Sequence, residues 1–389
     1  MSDSKGVILN IVGWWPTGDV AGIFIREHIQ AIARHAPVIV VFATRRKEMS
    51  WPRVEINRSM EEGLPVMRIV VRTPLRRFGF DRWLLRRALR KALRPLHAVD
   101  PFSLAHVHVR TWETEKALTI AKELRIPVVL TEHNSYYHLG ILALPEPAQT
   151  QQRQRLRDWL ADPVIKLIMP VSQNLARTLQ DKYAVAKERI MVVPNVAAPE
   201  FQFSEAPDDG YYHIVTAANW RPPKDHDTFI TALKLLSPES RQRCIIHWVG
   251  YGPAMDAIKT RCRTELVGMD VRFPGHLNKA GMARAMQHAH LFVLPTMSEN
   301  LPCVVIESLC CGTPVVSMAV GGLPELVERS NGVLVTPSDP HALAEALADC
   351  IEGRLLFDRR AIAEAAQQRF SMERVGSSID AAYDRVLGR

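Results

Sequence analysis

The feature that most restricts what this chain can fold into is an alternation, kept up over nearly all 389 residues, of short wholly apolar runs with helix-length amphipathic segments. The runs 7–12, 38–42, 66–71, 105–109, 128–131 and 165–171, closed by 190–193, form a first series. A second comprises 213–218, 245–249, 271–273, 291–294, 315–317 and 332–335. A strand apolar at every position has both faces buried, which is the mark of a parallel sheet covered by helices. The stretches 22–35, 113–124, 225–236 and 341–350 have the length and pattern of those helices. Two such series predict two doubly wound α/β domains. The Pro-, Asp- and Ala-rich stretch 194–210, PNVAAPEFQFSEAPDDG, has no period and predicts the linker.

With 47% hydrophobic residues the chain has material for two cores. No apolar run is long enough to span a bilayer, and 1–10 lacks the pattern of a signal peptide. The six cysteines all lie in the second half without CxxC spacing, so free thiols in a reducing cytoplasm are expected. Charge is uneven: residues 1–200 hold 30 Lys and Arg against 19 Asp and Glu, a net of +11. The rest hold 19 and 22, a net of −3. Lipid headgroups, phosphate-bearing substrates and nucleic acid are all anionic partners that such a first half could take.

In parallel sheets ligands sit beyond the carboxyl ends of strands, so the chemistry is expected in the loops that follow them. The richest is LFVLPTMSENLPCVVIESLCCGTPVVS, 291–317. It predicts a strand to Leu294, a loop, a helix N-cap at Asn300 and Pro302 in the first turn, with Glu299 before the helix and Glu307 on it. A helix N-terminus accepts anions, and a carboxylate accepts two sugar hydroxyls at once; the same acids also fit a helix-dipole pair and a solvated face. The second loop, 217–225, holds Arg221 and Lys224. They suit a diphosphate as a fork and a point charge, and equally fit two surface cations. The third runs from Gly13 to Gly22, where Gly22 before a helix permits close approach to a ligand, although the loop is no dinucleotide fingerprint and also reads as an ordinary turn. The fourth is Thr131-Glu132-His133 at a strand end, where His133 is either a cleft residue or a structural imidazole. His106 and His108 alternate along a strand, which reads as packing, and no metal spacing stands out among the 14 histidines.

Taken in order, these motifs resemble the retaining glycosyltransferases of the GT-B fold, family 4 (glycosyl transferases group 1). Glu299 and Glu307 match the E-x7-E motif of that family, and Arg221 with Lys224 its diphosphate-binding pair. VVPNV ending at Val196, VGYGP at 249–253, PGHL at 274–277, GGLPELV from Gly321, NGVLV, the G-x-F opening at Gly22 and TEH at 131–133 follow the same pattern. The resemblance implies two Rossmann-like domains facing a cleft: 1–196 binding the acceptor, 197–369 binding a nucleoside-diphosphate sugar, and a helix in 370–389 crossing back to the first domain. It implies that Glu307 holds the ribose and that Glu299, with Ser298, Asn300 and Leu301, holds the donor sugar. Gly22, Arg221 and Lys224 would bind the diphosphate region. His133 would face the sugar, so that His133, Glu299, Arg221 and Lys224 are the expected catalytic set. Transfer would retain the anomeric configuration with no metal or other cofactor, in polysaccharide, lipopolysaccharide or glycolipid synthesis. Pro302 stands where many members have glycine and has no N–H to offer a ligand.

Two other readings compete: a nucleotide-sugar epimerase of the same architecture, and a non-enzymatic nucleic-acid binder, for which no binding module or interleaved aromatics are found. The segment 78–94 predicts a helix stopped by Pro95. Arg82, Arg86, Arg90 and Arg94 fall at i,i+4 spacing on one half of it, with Arg87, Lys91 and Trp83 among them. Leu85, Ala88, Leu89 and Ala92 form a separate arc for packing on the sheet. The cationic face is then available to anionic lipid or an acidic acceptor, placing the protein in the cytoplasm or on the cytoplasmic face of the membrane.

Overall fold

A computed structural model describes residues 6–16, 22–48, 52–74, 80–133, 137, 141 and 144–389. The chain divides into two compact units, Met1–Pro194 with Met372–Arg389, and Asn195–Ser371. The sequence had placed the first junction two residues later, after Val196, and the second two residues earlier, before Phe370. Ala197 N–H in fact bonds Phe370 O within the second unit.

The sheet of the first unit has the order β3-β4-β2-β1-β5-β6-β7, from β1 (Val7–Val12), β2 (Val38–Lys47), β3 (Arg53–Glu61), β4 (Leu64–Thr73), β5 (Phe102–His108), β6 (Val128–Glu132) and β7 (Ile165–Pro170). All neighbours are parallel except β3 and β4. β3 escaped the sequence reading because an edge strand needs no apolar run: RVEINRSME is mostly polar with four charges, which also protects a free edge from pairing. It joins β4 through Glu62 and Gly63, both at positive φ, as a two-residue hairpin requires. The expected strand at 190–193 is not one. Met191 and Val193 donate to Ile168 O and Pro170 O, but β7 ends at Pro170, and a single bridge at Ile190 is all that forms.

Helices α1 (Ile23–Ile32), α2 (Phe80–Val99), α3 (Glu115–Leu124), α4 (Glu146–Leu160) and α5 (Gln173–Tyr183) cover this sheet. Leu85, Ala88, Leu89, Ala92 and Leu93 of α2 are buried in its core. Pro95 does not stop α2. It removes one helical hydrogen bond, but Leu96 packs on the core, Asp100 N–H closes the last turn on Leu96 O, and His97 Nδ1 accepts from Phe102 N–H. Residues 78–79 of the expected helix lie outside the described ones, as do 17–21 of the first strand-end loop.

The second unit has an all-parallel sheet of order β10-β9-β8-β11-β12-β13, from β8 (Tyr212–Asn219), β9 (Cys244–Tyr251), β10 (Asp270–Gly275), β11 (Leu291–Leu294), β12 (Val315–Met318) and β13 (Gly332–Val335). Its helices are α6 (His226–Leu235), α7 (Pro238–Arg243), α8 (Met255–Glu265), α9 (Lys279–Gln287), α10 (Cys303–Cys310), α11 (Pro340–Ile351) and α12 (Arg359–Phe370). The order reverses between β8 and β11, and the loops after these two strands flank that switch point. α13 (Met372–Leu387) returns to the first unit and packs on α1, where a Cβ on Gly376 would stand 2.7 Å from Ala31 O. All six cysteines are free thiols and five are buried; no described helix is long and apolar enough to cross a membrane.

Candidate active site

Three strand-end loops of the second unit converge on Glu299. The loop after β8 is anchored by Trp220, fully buried, whose Nε1–H donates to Val249 O at 2.8 Å and whose backbone N–H donates to Tyr251 O at 2.6 Å. This seat exists because the end of β9 and the turn after it have glycine at the points of contact. A Cβ on Gly250 would lie 2.0 Å from Ala218 O, and one on Gly252 would lie 2.5 Å from Trp220 O. Asp225 then caps α6, its side chain accepting from Thr228 N–H at 3.2 Å.

The loops after β8 and β11 are joined as a short antiparallel pair. Asp225 N–H donates to Pro295 O at 3.1 Å and Met297 N–H to Pro223 O at 2.9 Å. The pairing brings Lys224 Nζ onto Glu299 Oε1, which also accepts from Thr296 Oγ1 at 3.2 Å. The third loop, after β12, passes so close that a Cβ on Gly321 (φ 56°) would fall 1.7 Å from Glu299 O. Glu299 is therefore fixed by its side chain and its backbone. The two charged groups remain 17% and 14% exposed, reachable by a ligand.

The Asn300 cap is a correction. α10 begins at Cys303 and Pro302 occupies the N-cap, its carbonyl accepting from Val305 N–H at 3.2 Å. Proline's fixed φ suits a helix start, and a residue without N–H loses nothing there. Asn300 and Leu301 are buried, and Leu301 O accepts from Asn195 Nδ2 at 2.7 Å; Ser298 is half-buried. Glu307 lies on α10, half-buried, and Arg221 is exposed with no side-chain partner among the described residues. A lysine–carboxylate pair, a second carboxylate, a nearby arginine and a helix start form a set suited to a phosphorylated polyol. Thr296 and the glycines at 250, 252 and 321 were missed as supports, although the last three stand within quoted motifs.

Gly22 and His133 belong to the first unit. Gly22 caps α1 in the left-handed conformation and packs on the Trp14–Trp15 backbone, with a Cβ there 3.0 Å from Trp15 N. The Trp15 end of that loop is held by a hydrogen bond from Nε1–H to Glu61 Oε2 at 2.8 Å. Arg68 pairs with the same carboxylate, holding it down at about 2. His133 stacks obliquely on Phe24, centroids 4.7 Å apart, which brings it to the start of α1. Its neighbour Glu132 is structural, accepting from Arg110 N–H at 2.6 Å and Tyr137 O–H at 3.1 Å. His106 and His108 do not simply pack. Their rings lie 3.8 Å apart, and His106 bonds Tyr383 Oη and Thr131 Oγ1, both at 2.7 Å. His28, His108 and His133 bring a ring nitrogen each within 4.8 Å of one another. Sequence spacing hid this group, since its members come from a helix, a strand and a loop.

Residues 21–201 match the family described as Glycosyltransferase Family 4, and residues 198–369 match Glycosyl transferases group 1. The chain is a family 4 glycosyltransferase. It is 25% identical over 400 residues to the D-inositol 3-phosphate glycosyltransferase of Jonesia denitrificans, covering 95% of this chain and 92% of that one. The transferase also shares its fold with two solved structures. One is a glycosyltransferase from Rickettsia africae (TM-score 0.74, 13% identity, 98% and 99% of the two chains). The other is HepE of Anabaena, solved with UDP (TM-score 0.72, 19%, 97% and 99%). The fold class of this transferase is thus GT-B, and membership sets aside the isomerase and nucleic-acid readings.

Proposed function

We propose that this transferase moves a hexose from a nucleoside-diphosphate sugar to an acceptor hydroxyl with retention of configuration and without a metal. The observation that carries the reading is the Lys224–Glu299 pair, seated by Thr296 and Gly321 at the switch point of the second sheet. Glu299 meets the sugar hydroxyls, with Ser298, Asn300 and Leu301 forming the wall beside it. Lys224 and Arg221 neutralise the diphosphate as the glycosidic bond breaks and charge gathers on the leaving oxygen. Glu307 receives the ribose, and Gly22 and His133 act from the first unit. Two cations at the diphosphate do the electrostatic work that a divalent ion does elsewhere. Attack on the same face as the leaving group lets the departing phosphate take the acceptor proton, so no side-chain base is required.

A uridine diphosphate sugar is the donor to try first, since HepE of Anabaena was solved with UDP and with UDP-glucose. The acceptor is a membrane-linked polyol in polysaccharide, lipopolysaccharide or glycolipid synthesis. This part of the reading rests on the exposed cations Arg82, Arg87 and Lys91 of α2 beside Trp83, 54% exposed, which suit the cytoplasmic surface of a membrane. The test is thermal stabilisation by uridine, guanosine and adenosine diphosphates, followed by transfer from the matching sugar and proton NMR of the product's anomeric centre. Stabilisation by none of the three, or an inverted product, rejects the reading.

A further inference from the structure

The first unit brings together three imidazoles, of which the proposed donor chemistry uses His133 alone. His28 on α1 and His108 at the end of β5 are fully buried; His133, just after β6, is half-buried. His28 stands edge-on to both others, with centroids 5.0 Å from His133 and 6.4 Å from His108. Neither ring nitrogen of His28 makes a hydrogen bond; the Pro194 carbonyl lies nearby, outside bonding geometry. Buried polar atoms in native proteins are nearly always partnered, and one that is not asks for a ligand.

His108 is oriented for that ligand. Its Nε2 lies 3.1 Å from Asn10 Oδ1, an acceptor, so the proton sits on Nε2 and the buried Nδ1, which has no hydrogen bond, carries the lone pair. The amide orientation of Asn10 is itself set by its Nδ2–H donating to Ile8 O at 3.3 Å. Both rings are fully buried, and a neutral imidazole is the form that binds metal.

We propose that His28, His108 and His133 form a site for a borderline-soft divalent ion, Zn2+ foremost, with a fourth position left open. Three imidazoles with no thiolate or carboxylate among them select Zn2+, Co2+, Ni2+ or Cu2+ over Mg2+ and Ca2+. Tetrahedral zinc with Zn–N near 2.1 Å sets its nitrogens about 3.4 Å apart, so the three rings draw together by roughly 1 Å on binding. The ion is distinct from the diphosphate chemistry, which belongs to the second unit. One consequence does rest on the functional reading: if His133 faces the donor sugar, a bound ion withdraws it, and Zn2+ inhibits transfer. Binding itself does not depend on that.

The test is metal binding by the intact, chelator-stripped protein. Co2+ is titrated and followed by its visible ligand-field absorption, and Zn2+ affinity is obtained by competition. Expected are one equivalent with a tetrahedral spectrum and a loss of affinity of about a hundredfold or more in His133→Ala and in His28→Phe, which keeps the buried site filled. Circular dichroism checks the fold of each, and half-buried His133 can be changed even if the buried position does not tolerate its substitution. An octahedral spectrum, no stoichiometric binding, or affinity unchanged in a folded His133→Ala overturns the proposal. So does affinity lost instead in His247→Ala, which would assign the ion to the histidines of the second unit.

Discussion

Glu299 shows what one residue asks of its surroundings. Its carboxylate is shared between Lys224 and Thr296, and its carbonyl leaves no space for any side chain at position 321. Gly321→Ala is therefore expected to cost about 2 kcal/mol or more of stability and to weaken donor binding with it, read from the urea midpoint and from nucleotide titration. Lys224→Ala should lower kcat by about a hundredfold or more while activity survives a chelator. Glu307→Ala should chiefly raise donor KM, by about tenfold, through lost ribose hydrogen bonds. A wild-type KM in Glu307→Ala, or transfer abolished by a chelator, contradicts those assignments. Lys224 and Glu299 were visible in the sequence because charged groups at strand ends stand out from apolar runs, and Glu307 because it follows Glu299 at the motif spacing. What joins them was not: the pairing of 223–225 with 295–297 is made by backbone atoms, which leave no mark on residue identity.

Elements were legible where burial dictated them. Every strand of the second sheet was found, most of them as buried apolar runs and the edge strand β10 by its short 271–273 stretch, while β3 was missed because its edge position lets it be mostly polar. α2 was found, but its cationic face is divided in a way periodicity does not reveal. Arg86, Arg90 and Arg94 all pair with Glu123 of α3, whose carboxylate Arg90 and Arg86 hold at about 2. Exposed Arg82, Arg87 and Lys91 remain for a partner, with Arg87 lying over the Trp83 ring. Changing those three to Glu should abolish salt-sensitive co-sedimentation with anionic vesicles and leave folding intact. Arg90→Glu, by contrast, should loosen α2 from α3 and lower the melting temperature. If wild type ignores anionic vesicles at low salt, the membrane role of α2 is wrong.

On the scale of the whole molecule the chain divides into two compact units, each with titratable groups of its own. His247 in the second sheet is pushed down to about 4 by burial and by its neighbours His213 and Arg272, against Asp270, and His290 is also lowered, by burial, His213 and Arg359 against Asp209 and Asp208. A histidine depressed in the fold binds its proton more readily once unfolded, so the stability it contributes is present above about 6.5 and is lost as pH falls towards about 4. The urea midpoint of the second unit should decline over that window, and His247→Gln should flatten the decline; an unchanged slope excludes the assignment. Deleting 372–389 should lower the melting transition of the first unit alone, because Tyr383 is the partner of His106 and Gly376 seats α13 against α1. That return of the chain has a consequence for biogenesis. The first seven strands leave the ribosome early, yet the hydroxyl that bonds His106 emerges some 277 residues later, after the entire second unit. During synthesis the nascent first unit must wait with an unfinished face, while the unit made after it can complete itself first.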